Sequence, residues 1–131
     1  MAQAKKLGEV SWQHLTPKED KHGGAPSPRS GHSINYSPHP QISKSIVFGG
    51  CGISADGASQ QVFNETWFLE AGESPAWTLV DVMGDVPGER WRHTGTLLPG
   101  DDQLLIFGGL NKGKRFNDTY TLDIVKMEWN I

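Results

Sequence analysis

The sequence predicts an all-β fold built from repeated four-stranded antiparallel sheets, and three observations support this fold class. The phrase IVFGG at 46–50 returns as LIFGG at 105–109, which is 59 positions later. No stretch has the i, i+3, i+4, i+7 apolar spacing of an amphipathic helix over three turns. The 131 residues include 16 glycines, 8 prolines and 5 tryptophans, a composition typical of short strands joined by many turns.

The repetition extends beyond the double glycine and defines two units. The matched phrases, in chain order, are PRSGHS (28–33) with ERWRHT (89–94), FNETWFLE (63–70) with FNDTYTLD (116–123), and AWTLV (76–80) with EWNI (128–131). Arg29 thus corresponds to Arg90, and His32 corresponds to His93. Because the order is kept while the spacing shrinks, we interpret the units as copies that differ in loop length.

Each unit is expected to fold as four turn-linked strands in a meander. SIVF and LLIF are short and apolar, as buried strands are, whereas the strands that follow alternate roughly, which is typical of a half-exposed strand. The predicted strands are 31–36, 44–48, 65–69 and 77–80 in the first unit, and 93–97, 103–107, 118–122 and one beginning at Trp129 in the second.

Together these residues resemble the kelch repeat, in which a double glycine after an apolar strand precedes a spaced Tyr or Trp and then a second Trp. The matching residues are Gly49, Gly50, Trp67 and Trp77, then Gly108, Gly109, Tyr120 and Trp129. The resemblance covers residues 11–131. It implies kelch-type β-propeller blades, in which each four-stranded sheet contacts its neighbours around a central channel.

The double glycine has a physical explanation in such a blade. Glycine allows a positive φ and a close approach of two backbones where the blade narrows toward the axis. A side chain there would crowd the next blade, whereas large aromatic residues fill the wider wedge between blades farther out.

The predicted organisation is an N-terminal tail (1–10) followed by a kelch-repeat region (11–131). Blade one spans 29–80 and a partial blade two spans 90–131. SWQHL at 11–15 has the form of a fourth strand. Because the sequence begins with Met1, we expect it to close a blade whose other strands lie beyond residue 131; alternatively, it is the last strand of a preceding blade.

Two blades predict an incomplete ring, because propellers use about 4–8 blades. Three explanations remain open. The chain is a fragment of a longer protein, which we favour; or three copies assemble into a six-bladed homo-oligomer; or another protein completes the ring.

Composition argues against several classes of partner. The net charge of −3 gives no basic field for nucleic acid, and no apolar run approaches the roughly 20 residues of a membrane span. MAQAKKLGEV lacks the apolar segment of a signal peptide, and a single cysteine, Cys51, fits a reducing compartment. We therefore expect a cytoplasmic protein, with a nuclear location also open.

The resemblance implies a protein partner, and loop lengths suggest where it binds. In a meander, the loops between strands 2 and 3 and between successive blades share one face, which we call the loop face; here they are mostly the longer loops. Its candidate contact residues are Lys21, His22, Asp56, Arg90, Lys112, Lys114 and Arg115. The densest basic cluster among them, Lys112, Lys114 and Arg115, makes this rim suited to an acidic partner segment. The KGKR cluster is equally compatible with a solvated turn.

No catalytic, metal or cofactor motif stands out. His32 and His93 occupy equivalent positions, as do Arg29 and Arg90, and repetition at one position indicates a structural role. We expect no metal, no cofactor and no enzymatic activity. The alternatives are a small propeller enzyme of the isomerase or lyase type, or a purely structural part of a larger assembly.

Overall fold

The computed structural model describes residue 8 and residues 11–131. That part of the chain contains 14 strands, numbered here β1 to β14, and no helix, and hence no helix able to cross a bilayer. The strands form two blade sheets and two smaller sheets. The all-β prediction is confirmed, and the propeller is not closed within this chain.

Blade one is a four-stranded antiparallel meander. Its strands, from the innermost outward, are β2 (Ser33–Ser37), β3 (Lys44–Phe48), β6 (Thr66–Glu70) and β7 (Ala76–Leu79). The second strand has the predicted bounds, and β6 and β7 lie one residue from theirs. The innermost strand begins at Ser33 rather than at Gly31, because Gly31 has a φ of 65° and interrupts the extended backbone.

Blade two repeats the meander and adds one strand. Its members are β9 (Thr94–Leu97), β10 (Gln103–Phe107), β13 (Thr119–Asp123) and β14 (Glu128–Asn130), with β8 (Met83–Gly84) parallel to β14 at the outer edge. The Met83 N–H donates to the Met127 carbonyl at 2.8 Å. In blade one, Lys18 makes the corresponding parallel bridge to Ala76. The connection into each blade therefore runs along the outer edge of that blade.

The structure differs from prediction at residues 11–15, which form no strand. The side chain of Trp12 is 98% exposed. A strand needs a free edge for its N–H and C=O groups. Lys18 already bridges the outer strand of blade one, and no other edge pairs with this segment. Its role in closing a further blade stays a prediction.

The long loops between strands 2 and 3 are folded as hairpins. In blade one, β4 (Cys51–Ile53) and β5 (Gln60–Val62) pair with each other, and β4 also pairs with β1 (Arg29–Ser30). In blade two, β11 (Leu110–Asn111) pairs with β12 (Lys114–Arg115), and Leu110 bridges Trp91. Each loop is thus attached to the segment that enters its own blade, which orders the loop face.

The hydrophobic core lies between the two blades. Its buried residues are Ile42, Ile46, Phe48 and Phe68 from blade one, and Leu104, Ile106, Leu122, Ile124 and Trp129 from blade two. The rings of Phe48 and Trp129 are 4.9 Å apart, and both side chains are fully buried. The expectation that a large aromatic residue fills the wedge between blades is confirmed at Trp129.

Candidate functional site

Arg90, predicted both as a partner contact and as a structural residue, is 1% exposed. Its guanidinium donates to both carboxylate oxygens of Asp118 at 2.6 and 3.2 Å, to the Gly108 carbonyl at 3.0 Å and to the Gly88 carbonyl at 3.1 Å. It also lies 4.5 Å from the Phe116 ring centre. The hydrogen bond from Arg90 holds the pKa of Asp118 below its usual range. Arg90 therefore holds the backbone of the loop face in place from within the fold. Because it is buried, the prediction that it contacts a partner is wrong.

Arg29 makes the same set of contacts in blade one. It pairs with Glu65 at 2.8 Å, donates to the carbonyls of Gly49 and Ser27 at 3.2 and 3.1 Å, and lies 3.9 Å from the Phe63 ring centre. The predicted structural role of both arginines is confirmed.

His93 links the two blades. Its Nε2 atom lies 2.9 Å from the Ser33 hydroxyl, and its ring meets Phe48 edge-on at 5.3 Å. Burial, followed by electrostatic repulsion from Arg90 and a smaller effect of the nearby His32, lowers the pKa of His93 to about 4. The ring is therefore uncharged at neutral pH. His32, the counterpart on blade one, is exposed.

The first double glycine is required by the contact between blades. Gly49 has a φ of 65°, and a Cβ there would lie 2.7 Å from the Arg90 carbonyl oxygen and 2.9 Å from His93. The Gly50 N–H donates to that same carbonyl at 2.9 Å. The predicted crowding of the next blade is thus confirmed for Gly49.

Three of the predicted contact residues lie together in one exposed hairpin. Lys112 occupies the β11–β12 turn with a φ of 47°, and Lys114 and Arg115 form β12. None of the three has a carboxylate within salt-bridge distance among the described residues. This cluster of unpaired cations is the clearest candidate contact on the loop face.

The other predicted residues lie in two separate turns. Asp56 is at the tip of the β4–β5 hairpin, where a hydrogen bond from the Ser54 hydroxyl lowers the pKa of its carboxyl. Lys21 and His22 occupy an exposed turn in which Asp20 accepts the His22 N–H at 2.8 Å. That turn follows the outer edge of blade one, so the predicted set is not one continuous site.

A cleft of about 420 Å³ opens beside the blade-one hairpin. It is lined by β4, the hairpin tip and Trp91, and includes Cys51, which is free, and Ile53, which is 66% exposed. A second cleft of about 230 Å³ is lined by residues 60–62 of blade one, by Glu89 from the connection into blade two, and by Asn111 and Lys112 of blade two. The surface between the hairpins is therefore concave and partly apolar.

Arg92 and Trp91 were missed by the sequence reasoning. The Arg92 guanidinium lies 4.4 Å from the Trp91 ring centre, and its side chain is exposed. Arg92 has a φ of 57° at the position where blade one has Gly31. A non-glycine residue in the left-handed region is strained. The comparison of RSGH with RWRH was the signal that could have singled out this arginine.

The described part of the chain, residue 8 and residues 11–131, contains no cluster of side chains suited to a metal ion. No group of three or more His, Cys, Asp or Glu side chains there could hold a metal ion.

Comparison with known families agrees with the geometry. The family model described as the KLHDC2/KLHL20/DRC7 Kelch-repeats domain matches residues 6–131. The chain belongs to the kelch-repeat family. Kelch-repeat domains are commonly protein-interaction modules and are mostly non-enzymatic.

Related proteins share this kelch-repeat region. The dynein alpha chain of the flagellar outer arm from Chlamydomonas reinhardtii is 35% identical over 82% of the chain and 2% of its own length. Adagio-like protein 1 from Oryza sativa is 34% identical over 90% of the chain and 16% of its length. N-(sulfonatooxy)prop-2-enimidothioate sulfolyase from Thlaspi arvense is 33% identical over 85% of the chain and 29% of its length. The chain thus spans less than a third of each of these relatives.

Proposed function

We propose that this kelch region is a protein-interaction module that binds an acidic segment of a partner through its loop face. The observation that carries the proposal is the cation cluster of Lys112, Lys114 and Arg115. Arg92 lines the same cleft as Arg115 and adds a fourth charge. Cations held on ordered hairpins without carboxylate partners are available to an incoming acidic segment.

Contrast with the paired cations supports this proposal. Arg29, Arg90, Lys44 and Lys126 each have a carboxylate within 3.6 Å. The loop-face cations of blade two have none among the described residues. A partner that supplied carboxylates there would gain charge-assisted hydrogen bonds without breaking existing ones.

The neighbouring clefts support a segment rather than a single ion as the ligand. Ile53 and Trp91 offer apolar surface, and Gln60 connects the larger cleft to the one beside Lys112. An extended peptide could place an apolar side chain in the cleft at Ile53 and Trp91 and its following acidic residues beside Lys112. The free thiol of Cys51 is compatible with action in the cytoplasm or nucleus, which we propose as its location.

The experiment is selection of binders from a random peptide library with the full chain as bait. Selected peptides should be enriched in Asp and Glu. Their affinity should fall at least tenfold with the triple variant K112E/K114E/R115E, and it should weaken as salt is raised.

The charge-matched control is K18E/K44E/K126E, which makes the same change in net charge at the opposite end of the blades and also removes two exposed ion pairs, Lys44–Glu70 and Lys126–Asp123. Peptides that still bind this control variant but no longer bind K112E/K114E/R115E support the proposal. Peptides without acidic enrichment, or with equal affinity for both variants, would overturn it.

The second candidate is a lyase, which the sulfolyase relative favours by name. A nucleophile such as Cys51 needs a base beside it. The larger cleft is lined by neither histidine nor carboxylate. The observed chemistry therefore supports the interaction module better.

A further inference from the structure

Proline follows serine or threonine unusually often in this chain. Ser and Thr make up 17 of the 131 residues, so a random order would place one of them before about one of the eight prolines, yet four prolines have one. The four dipeptides are Thr16–Pro17, Ser27–Pro28, Ser37–Pro38 and Ser74–Pro75. A Ser or Thr followed by Pro is the minimal sequence that proline-directed protein kinases require. The fold decides which of the four hydroxyls such an enzyme can reach.

Two of the four hydroxyls are held inside the fold. Ser37 is fully buried, and its hydroxyl donates to the Asp101 carbonyl at 2.6 Å. Ser27 is half-buried, and its hydroxyl accepts from the guanidinium of Arg29 at 3.3 Å, while Arg29 also pairs with Glu65. A kinase must bind the residues on both sides of its target hydroxyl, and neither of these sites allows that without local unfolding.

The other two hydroxyls, those of Thr16 and Ser74, belong to exposed residues. Residues 11–17 and 71–75 belong to no strand, so an enzyme can bind these segments while the blade sheet stays intact. The residue before a proline is biased toward an extended backbone, which is the conformation that a kinase groove binds. Exposure and local backbone structure therefore single out these two dipeptides from the four.

The two exposed dipeptides are neighbours at the outer edge of blade one. The Lys18 N–H donates to the Pro75 carbonyl at 2.8 Å, and the Trp77 N–H donates to the Lys18 carbonyl at 2.8 Å. A cleft of about 560 Å³ is lined by residues 13–16 on one side and by Glu73 and Pro75 on the other. A group added to either hydroxyl therefore lies close to the bonds that attach the entering connection to blade one.

We propose that Thr16 and Ser74 form a phosphorylation site for a proline-directed protein kinase, with ATP as the phosphate donor. The hydroxyl oxygen forms a bond to the γ-phosphorus of ATP while the bond from that phosphorus to the β–γ bridging oxygen breaks. ADP leaves, and the catalytic aspartate of the kinase accepts the hydroxyl proton. The site includes the turn between β6 and β7, at the opposite end of the blades from the loop face, so it is independent of the peptide binding proposed there.

Phosphorylation of both residues weakens the attachment of the connection to blade one. Each phosphate carries about −1.5 to −2 charges at neutral pH. The two phosphates together with Glu73 outweigh the two positive charges that His14 and Lys18 can supply. Like charges on neighbouring segments repel, so the Trp77 N–H loses its Lys18 acceptor more often.

The experiment compares the folded chain with four synthetic peptides, one around each dipeptide. A proline-directed kinase that modifies all four peptides is incubated with ATP and either substrate, and mass spectrometry gives the rate at each site. In the folded chain, Thr16 and Ser74 should react within about threefold of their peptides, whereas Ser27 and Ser37 should react at least tenfold more slowly than theirs. Protection of either Thr16 or Ser74 to the level of Ser37 would overturn the proposal, as would a Ser37 as reactive as its peptide.

Hydrogen exchange at the Trp77 amide tests the consequence of the two phosphates. This amide should exchange at least tenfold faster in the doubly phosphorylated chain than in the unmodified chain. The matched control is T16A/S74A taken through the same kinase reaction, in which the exchange rate should not change. Equal exchange in the phosphorylated and unmodified chains would show that the attachment withstands both phosphates, and it would overturn this part of the proposal.

Discussion

At the scale of single residues, equivalent positions in the two repeats predicted which contacts a side chain makes better than they predicted whether it is buried. Arg29 and Arg90 make matching sets of bonds, as their equivalent positions indicated. His32 and His93 are equally equivalent in sequence, yet only His93 is buried, because only His93 has a neighbouring blade to enter. Chemical identity is local, whereas burial depends on what stands next to the residue.

The neutral state of His93 predicts a pH-dependent stability. Its pKa is about 4 in the folded chain against 6.5 for an ordinary histidine. As the pH falls, His93 therefore takes up a proton in the unfolded chain at a higher pH than in the folded chain. The free energy of unfolding has its full value above pH 6.5 and decreases progressively down to about pH 4. We expect the melting temperature to decline across this window.

Two variants check the assignment to His93. H93Q should flatten the decline between pH 6.5 and 4, whereas H14Q, at an exposed position, should leave it unchanged. Asp118, whose pKa is also lowered, contributes only at lower pH, below its ordinary value of 3.8. A decline that persists in H93Q would refute the assignment.

At the scale of elements, the apolar strands were predictable and the short accessory strands were not. Lys44–Phe48 and Gln103–Phe107 have their predicted bounds, because buried apolar runs define a strand by themselves. The two-residue strand at Met83–Gly84 carries no such pattern and forms only because β14 offers an edge. The same holds for the hairpins of the loop face.

Alanine substitutions in the two double glycines distinguish the cost of backbone strain from the cost of crowding between the blades. Gly49 and Gly108 have φ values of 65° and 67°, so alanine costs each about 1 kcal/mol of strain. At Gly49 the new Cβ also meets the Arg90 carbonyl at 2.7 Å, whereas at Gly108 it meets the Phe116 carbonyl at 3.2 Å. Denaturant unfolding should show G49A to be less stable than G108A by about 1–3 kcal/mol. Equal losses would mean that strain alone requires the glycine.

At the scale of the whole molecule, two blades bury one contact and leave two surfaces uncovered. The core is formed between the sheets rather than within either one. Ile34 and Tyr36 on one side and Phe107 on the other remain half exposed. Each blade is thus stabilised by its neighbour, as expected for a repeat architecture.

Alanine substitutions of the equivalent residues Phe48 and Phe107 measure how much the neighbouring blade contributes to the free energy of unfolding. F48A removes a buried ring from the core and should cost about 4 kcal/mol of unfolding free energy. F107A removes a half-exposed ring and should cost about 1 kcal/mol. Chemical denaturation at low protein concentration gives both values. Equal costs would show that Phe107 is covered in solution.

The sequence by itself determined the all-β class, the two meanders, the paired arginine roles and the need for glycine at position 49. These follow from side-chain size, backbone freedom and repeated spacing, which are properties of short segments. The tertiary structure alone decided that Arg90 is buried, that Arg92 lines the same cleft as Arg115, and that residues 11–15 form no strand. These depend on which surfaces meet, and contacts between blades join residues about 60 positions apart that no local pattern can relate.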